Sequence, residues 1–381
     1  MPLKDFINCM TINRNESLIS RIWDFGVYDL TEYEREIVLL PIIKEQIWNA
    51  RVNPHIRSYF EKIFLNPDAI SSLTDVPWVP VTMFKEFNLA TVPAEDVVKT
   101  LRSSGTTGQQ TSKIPLDKIT IQNQNKSLSK ILAHYLGPKR LIFIVIDHPE
   151  INDPATEFSA RTAGVRGLSL YARKTIYLLK KEGDSLTVDP DALEEIRQLD
   201  RNIPVYLFGF TWIIWSVCIP YFKEHDIHLH LSEGTLFHGG GWKNLQKIAV
   251  GKDFFTKNIR DFFGIPSFRV LDFYGMAEQT GIIFPDCECG CKHVPSCSKI
   301  IIRNIQTLKP CGKGERGLIE VMSILPNSYY GQALLTEDTG RIIGWDGCPC
   351  GRRGMFFEFL SRVERAEVRG CGDTFRVDHG R

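Results

Sequence analysis

The sequence predicts an α/β protein built on largely parallel sheets flanked by helices. Short apolar runs typical of buried strands occur at residues 140–147, 204–210, 235–241, 268–275 and 318–325. Helical stretches separate most of these runs, which favours parallel strands joined by helical crossovers. Glycine-rich or polar residues follow several of the strands, at the edge where such sheets bind ligands. We therefore expect a crevice at the carboxyl ends of these strands.

The N-terminal part of the chain is predicted to be helical. Residues 34–52 read EREIVLLPIIKEQIWNARV, with apolar residues spaced three and four apart. No motif with recognisable chemistry occurs in residues 1–75. The pattern therefore indicates a helical region ahead of the α/β part.

Composition excludes several classes of protein. The 381 residues can bury a large core, and 43% hydrophobic with 24% charged residues is ordinary for a soluble globular chain. The net charge of +1 gives no argument for a nucleic-acid partner or a charged membrane surface. No apolar run reaches the roughly 18–20 residues of a membrane span, and the N-terminus lacks an apolar signal core. We expect a cytoplasmic protein.

The most informative local motif is LRSSGTTGQQTSK at residues 101–113. Glycines allow several backbone N–H groups to face one anion, hydroxyl groups add donors, and a lysine adds a positive charge. The motif suits the phosphates of a nucleotide, although it lacks the Walker A spacing. The alternative is a flexible polar surface loop. The candidate phosphate-binding residues are Ser103, Ser104, Gly105, Thr106, Thr107, Gly108 and Lys113.

Three motifs in the same order resemble those of the adenylate-forming ligase superfamily. They are the SSGTTG loop, FYGMAEQT at 273–280, and EDTGR at 337–341. Within that superfamily the chain is most similar to the acyl-protein synthetases, from about residue 75 to the end. That similarity rests on PVTMFKEF at 80–87, VVKTLRSSGTTG at 97–108, LFGFTWIIW at 207–215, HGGGWK at 238–243 and HVPSCSKIIIRN at 293–304. Phenylacetate-type CoA ligases share much of this plan.

The resemblance implies a domain organisation. It gives an N-terminal helical region over 1–75, a large adenylate-forming ligase core over 76–362, and a short C-terminal tail over 363–381. The small C-terminal domain that adenylate-forming enzymes usually carry would be truncated, together with its catalytic lysine. The usual cycle between two domain arrangements is then in doubt.

The resemblance also implies roles in binding ATP. The SSGTTG loop would hold the β- and γ-phosphates with help from Lys113, and Glu278 would bind Mg²⁺, which accepts one carboxylate plus phosphate oxygens. Asp338 would accept hydrogen bonds from the ribose hydroxyls. The alternatives are a solvated acid at a helix start for Glu278 and an ordinary turn residue for Asp338. The other predicted nucleotide contacts are Gly239, Gly240, Tyr274, Gly275, Thr280 and Arg341.

The cysteines are clustered towards the C-terminal end. Eight of the ten cysteines follow residue 286, and clustered thiols in a cytoplasmic chain indicate metal binding or catalysis rather than disulfides. Thiolates and one imidazole can form a closed, structural Zn²⁺ site. The preferred ligand set is Cys287, His293, Cys348 and Cys350, and Cys289 or Cys291 could replace Cys287. The alternative is a group of reduced free thiols.

Cys371 is the candidate acyl acceptor. In the acyl-protein synthetases a cysteine near the C-terminus takes the acyl group as a thioester, and Cys371 matches that position. It lies between Gly370 and Gly372, which would allow its thiol to move. The alternatives are an incidental cysteine in the tail and CoA as the acceptor.

Together these features predict an enzyme that activates a carboxylic acid, in particular a fatty acid, as its acyl-adenylate. The acyl group would pass to Cys371 as a thioester and then to an acyl-CoA-reductase-type protein partner. One alternative is an acyl- or aryl-CoA ligase of the phenylacetate type. The other is a degenerate relative that binds nucleotide as a regulator.

Overall fold

A computed structural model describes residues 18–102, 111–153, 160–242 and 247–363. Within these ranges the chain divides into two compact units. The first unit contains the described residues up to 102, then 111–131 and 275–363, and the second contains those from 132 to 274. The predicted boundaries at residues 75 and 362 stay predictions.

Helices are distributed over both units. The α-helical segments are Leu18–Arg21, Glu32–Ala50, Pro54–Lys62, Met83–Glu86, Lys118–Leu136, Ala160–Ser169, Pro190–Arg197, Thr211–Ile213, Ile219–Glu224 and Lys252–Phe263. A π-helical turn, Ile214–Cys218, joins two of these segments. The 3₁₀ turns are Ile22–Phe25, Pro67–Ala69, Leu73–Asp75, Ala94–Asp96, Pro149–Asn152, Ser267–Arg269 and Ala277–Gln279. Across the described ranges, no helix combines the length and the apolar character that crossing a bilayer requires.

The strands are numbered in chain order. They are β1 (Val79–Pro80), β2 (Val97–Arg102), β3 (Lys113–Asp117), β4 (Leu141–Ile146), β5 (Ala172–Tyr177), β6 (Leu179–Glu182), β7 (Ser185–Val188), β8 (Val205–Phe210), β9 (Gly234–Gly239), β10 (Val270–Tyr274), β11 (Phe284–Pro285), β12 (Lys292–His293), β13 (Ser298–Arg303), β14 (Arg316–Ser323), β15 (Ala333–Trp345) and β16 (Met355–Arg362).

The second unit contains the predicted parallel sheet. Its strands run in the order β10-β9-β8-β4-β5, and every neighbouring pair is parallel. Strands β4, β8 and β9 are buried along their whole length, as expected for strands covered on both faces. The predicted fold class is confirmed, and the strands at 140–147, 204–210, 235–241 and 268–275 lie within a few residues of their expected positions.

The sheet of the first unit is mainly antiparallel. Its order is β12-β16-β15-β14-β13, and β1 adds in parallel beside β15. Successive strands here are joined by turns rather than by helices, which permits antiparallel pairing. This sheet therefore differs from the largely parallel arrangement that the sequence predicts, because the residues of a single strand do not show which neighbour it will have or in which direction. The pair β15–β16 ends in a turn at residues 346–354.

The helix Glu32–Ala50 packs on the first unit through an apolar face and a buried cation. A capping box between Thr31 and Glu34 satisfies its first N–H groups. The guanidinium of Arg35 is fully buried and donates to the carbonyl oxygens of Val294 (2.9 Å), Pro295 and Ser298 (2.7 Å). A planar guanidinium donates to these carbonyls from two separate nitrogens in a fixed geometry, whereas the three donors of a lysine lie on a single nitrogen. Arg35 thus fixes the turn that leads into β13.

The variant Arg35→Lys is expected to lower the free energy of unfolding by about 2–4 kcal/mol, because it leaves buried carbonyls without donors. Urea denaturation of the whole protein measures this. The matched control is Arg57→Lys, since Arg57 is exposed on the helix Pro54–Lys62 and its replacement should leave the midpoint unchanged. Equal effects of the two substitutions would contradict the anchoring role of Arg35.

Candidate active site and metal centre

Glu278 lies in a short 3₁₀ turn that the first unit holds rigidly. The hydroxyl of Tyr329 donates to the main-chain oxygen of Glu278 (2.8 Å). The next residue, Gln279, accepts from the Ser323 hydroxyl (2.8 Å) and donates to a main-chain oxygen. Gly281 then has a φ of +95°, and a Cβ on it would lie 2.5 Å from the backbone of Gln124. The turn is therefore fixed on both sides of the Glu278 carboxylate.

The carboxyl group of Glu278 is buried, and burial raises its pKa. Hydrogen bonds from its own backbone and from the Ser112 hydroxyl oppose this rise, as does the positive charge of Arg362, whereas the charge of Asp338 adds to it. Because burial outweighs the charge of Arg362, the charge of the carboxylate is only partly compensated, and the chemistry of the site suits a bound divalent ion. Ser112 lies four residues after the predicted phosphate loop, within the same motif, and its hydroxyl is beside Glu278.

Asp338 and Arg362 face each other across β15 and β16. The two residues are direct partners in the strand register, and Arg362 Nε lies 3.2 Å from Asp338 Oδ1. The Asp338 backbone N–H donates to Thr336 Oγ1 (3.2 Å), and the residue is 9% exposed. We call Ser112, Glu278, Asp338 and Arg362 the carboxylate cluster. Glu278 and Asp338 were predicted as site residues, and Ser112 and Arg362 were not.

The predicted phosphate loop, Ser103–Gly108, lies outside the described residues. The strands on either side of it, β2 and β3, are described. They pair antiparallel, with Arg102 opposite Lys113. Lys113 is exposed at the start of β3. The described strands on either side of the loop therefore form one antiparallel ladder.

Three further predicted nucleotide contacts lie in the first unit. The side chain of Arg341 pairs with Glu358 (2.6 Å), and both are more than 40% exposed. The Thr280 hydroxyl donates to the carbonyl of Ala277 (2.7 Å), which closes the turn around Glu278. Gly275 is exposed. Of these side chains, only that of Thr280 has a contact that bears directly on the Glu278 turn.

The predicted contacts of the second unit lie at the carboxyl ends of β9 and β10. A Cβ on Gly239 would come within 2.8 Å of a main-chain oxygen of Phe273. Gly240 has a φ of +77°, and a Cβ there would meet the Phe210 ring at 2.4 Å. Tyr274 is buried at the end of β10. These glycines are required by the backbone itself, and they leave main-chain groups at the strand ends where ligands bind in α/β sheets.

Sequence reasoning missed a polar array at the same strand ends. His238 Nδ1 lies 2.9 Å from the Thr211 hydroxyl and 3.9 Å from a carboxylate oxygen of Asp272. These three residues lie together because β8, β9 and β10 are neighbours in the sheet. His238 in β9 is the register partner of Asp272 in β10, and Thr211 is the first residue after β8. Only the position of His238 before the glycine run could have indicated it.

The four preferred metal ligands come together in the first unit. The ligand atoms of Cys287, His293, Cys348 and Cys350 all lie within 4.8 Å of one another. Cys287 Sγ is 3.8 Å from Cys348 Sγ, and Cys350 Sγ is 3.2 Å from His293 Nε2. Zn–S bonds of about 2.3 Å in a tetrahedron give S···S distances of about 3.8 Å. Cys289 is exposed and outside this group.

Two turns and a strand bring these ligands together. Cys287 lies in a turn closed by its N–H to the Cys291 carbonyl (2.8 Å), and His293 follows in β12, beside β16. Cys348 and Cys350 belong to the turn between β15 and β16, where Gly351 N–H donates to the Cys348 carbonyl (3.0 Å). Burial raises the pKa of Cys287 to about 11 and also raises that of Cys348. A metal ion would reverse this preference for neutral thiols.

The fold resembles that of a CoA ligase of known structure. A crystal structure of 2-hydroxyisobutyryl-CoA ligase in an open conformation superposes with a TM-score of 0.67, at 15% identity, and the match covers 95% of this chain and 83% of that chain. A second structure of the same enzyme, in the thioesterification state, gives a TM-score of 0.66 at 16% identity over 93% of this chain and 73% of that chain. At these identities the similarity shows the fold alone.

Sequence comparison gives the family. The chain is 25% identical over 336 residues to the long-chain-fatty-acid–luciferin-component ligase of Aliivibrio fischeri, covering 86% of this chain and 82% of the relative. The corresponding ligase of Vibrio harveyi is 24% identical over 329 residues, covering 84% and 82%. The profile of the acyl-protein synthetase (LuxE) family matches residues 9–378. The chain therefore belongs to the acyl-protein synthetase (LuxE) family and is an AMP-forming ligase, an enzyme that activates an acid with ATP.

Proposed function

We propose that this enzyme converts a fatty acid into its acyl-adenylate and then transfers the acyl group to its own Cys371. The observation that carries the first step is the carboxylate cluster, in which Glu278 and Asp338 lie near each other with Arg362 and Ser112. The names of the two bacterial relatives support a long-chain fatty acid as the substrate.

The cluster provides the groups that an adenylation site requires. The two reactants, a carboxylate and a nucleoside triphosphate, are both anions, so neutralising charge dominates the barrier. Asp338 is suited to accept hydrogen bonds from two ribose hydroxyls, and Arg362 beside it adds a positive charge and further donors. The predicted phosphate loop returns to the same cluster at Ser112. In the reaction, a carboxylate oxygen of the acid attacks the α-phosphorus, and pyrophosphate leaves.

Glu278 is the proposed Mg²⁺ ligand. Its carboxylate is buried and fixed by its turn, and burial raises its pKa despite the positive charge of Arg362, so a further cation would be favoured beside it. Bound Mg²⁺ would neutralise phosphate charge as pyrophosphate departs. The protein's part is to hold one carboxylate at a defined position and to supply the Ser112 hydroxyl beside it.

The variant Glu278→Gln is expected to reduce acid-dependent exchange of pyrophosphate into ATP by about 100-fold or more, because the amide keeps the size of the side chain but removes its charge. The matched control is Glu61→Gln, at an exposed position of the helix Pro54–Lys62, which should keep full exchange. Wild-type exchange in a folded Glu278→Gln protein, with an unchanged thermal midpoint, would remove Glu278 from the mechanism.

Cys371 is the proposed acceptor of the acyl group, and it lies outside the described residues. A thiolate is the reactive nucleophile of cysteine. Its sulfur would attack the carbonyl carbon of the mixed anhydride, form the thioester bond and release AMP. We further propose that the thioester passes to an acyl-CoA-reductase-type protein, for which a thioester is the acyl form that can be reduced to an aldehyde.

Protein incubated with Mg-ATP and radiolabelled fatty acids is expected to acquire label that hydroxylamine removes, and Cys371→Ser should abolish this label while pyrophosphate exchange continues. Cys311→Ser is the matched control, because Cys311 is a partly exposed cysteine outside the group of four, and it should label normally. Label on the Cys371→Ser protein would place the acceptor elsewhere. Exchange without any protein label would instead identify CoA as the acceptor, and absence of exchange with every acid would favour a nucleotide-binding regulator.

We also propose that Cys287, His293, Cys348 and Cys350 bind a structural Zn²⁺ ion. The spacing of their ligand atoms and the mixture of three thiols with one imidazole support this metal. Four protein ligands leave no position for a substrate, so the ion would hold the turn between β15 and β16 against the turn of Cys287.

Purified protein is expected to keep about one Zn²⁺ per chain after extensive dialysis, and Cys348→Ser should lose it together with thermal stability. Cys289→Ser is the matched control, because Cys289 is exposed and outside the group of four. Elemental analysis and thermal unfolding measure the two effects. A metal content below about half an equivalent in the wild type would contradict the proposal.

A further inference from the structure

Two neighbouring buried residues, Ser328 and Tyr329, are connected to both members of one hydrogen bond in the carboxylate cluster. That hydrogen bond runs from the Ser112 hydroxyl to the carboxylate of Glu278. Tyr329 holds the second member, because its hydroxyl donates to the main-chain oxygen of Glu278 (2.8 Å). Ser328 contacts β3, the strand that begins directly after Ser112. The adenylation mechanism described above assigns no role to Ser328.

The Ser328 hydroxyl makes two hydrogen bonds to the backbone of β3. It donates to the carbonyl of Pro115 (2.8 Å) and accepts from the N–H of Asp117 (3.1 Å). Pro115 lies three residues after Ser112 in the chain. Because β3 is extended and paired with β2, a displacement of the strand at Pro115 also displaces Ser112. Ser328 therefore determines where Ser112 lies.

Thr120 and Asn327 complete the hydrogen-bond network around Ser328. Thr120 Oγ1 lies 2.9 Å from Ser328 Oγ and accepts from the N–H groups of Asn327 (2.9 Å) and Ser328 (3.1 Å). The Asn327 amide donates to Asp117 Oδ2 (2.7 Å), and Asp117 Oδ1 accepts from the Thr120 N–H (2.7 Å). Since the Ser328 hydroxyl hydrogen is used at Pro115, the Thr120 hydroxyl donates to Ser328. Both hydroxyls then have one donated and two accepted hydrogen bonds, which fixes a single arrangement of the network.

We propose that Ser328 is a positioning residue for adenylation, because it sets through β3 the place at which the Ser112 hydroxyl meets Glu278. This inference rests on the proposed function, in which Glu278 binds Mg²⁺. Ser328 is fully buried and acts through Ser112 rather than on the reacting atoms. Tyr329, the next residue in the chain, positions the other member of the same hydrogen bond.

The variant Ser328→Ala is expected to raise the Mg-ATP concentration at half-maximal pyrophosphate exchange by about 10-fold or more, because Ser112 then loses its fixed position beside Glu278. The half-saturating concentration of the fatty acid should stay unchanged. The matched control is Ser296→Ala, since the Ser296 hydroxyl is equally buried and donates to the carbonyl of Val27 (3.0 Å). This control should lose similar thermal stability but keep both half-saturating concentrations. Equal kinetics in the two variants would show that Ser328 is only structural and would overturn the proposal.

A double variant tests whether Ser328 acts through Ser112. Adding Ser328→Ala to Ser112→Ala should produce no further rise in the half-saturating Mg-ATP concentration. Fully additive effects would contradict the proposal, since they would mean that the two residues act independently. Wild-type protein that exchanges no pyrophosphate with any fatty acid would refute the proposed function. Exchange in the wild type together with normal Mg-ATP saturation in Ser328→Ala would refute the positioning role alone.

If Ser328→Ala does not fold, Asn327→Asp decides the question. Asn327 is exposed, and a carboxylate in place of its amide would repel Asp117 and displace β3. The half-saturating Mg-ATP concentration should again rise. Asn304→Asp is the matched control, because Asn304 is exposed and its side-chain oxygen accepts from two backbone N–H groups, as a carboxylate also can. Unchanged Mg-ATP saturation in Asn327→Asp would overturn the proposal.

Discussion

Both chemical centres of the first unit depend on the register of one antiparallel strand pair, β15 with β16. At one end this register places Asp338 directly opposite Arg362. At the other end the same two strands lead into the turn that carries Cys348 and Cys350. Because side chains alternate between the two faces of a sheet, a slip of one residue would separate Asp338 from Arg362 and displace the thiols. The carboxylate cluster and the cysteine group are therefore parts of one structural unit.

The two centres share a second property, which is the burial of groups that prefer water. Burial raises the pKa of Glu278 at one centre and of Cys287 at the other. Keeping such groups in place without their cations costs free energy, which the surrounding hydrogen bonds offset. Tyr329 and Ser323 do this around the Glu278 turn, and the turn hydrogen bond of Cys287 does so at the cysteine group. Rigid surroundings thus prepare both centres for positive charge.

Local sequence identified the parts of this site that short motifs encode. Apolar runs predicted the parallel strands of the second unit, and the spacing of cysteines and His293 predicted which four residues meet. Local sequence did not identify Arg362, Ser112 or Arg35, because each owes its role to a partner far away in the chain, as Arg35 does to the carbonyls of Val294 and Ser298. The antiparallel order of the first sheet was missed for the same reason, since the residues within one strand do not determine the direction of its neighbour.

Gly281 limits how the enzyme can be redesigned. Its left-handed backbone and its close approach to Gln124 exclude a side chain at the position that ends the Glu278 turn. A library of variants made to change which acid substrate the enzyme prefers should therefore not vary this position, because most substitutions there are incompatible with the backbone. Randomisation is better placed at positions whose backbone does not require glycine, outside the turn that carries Glu278.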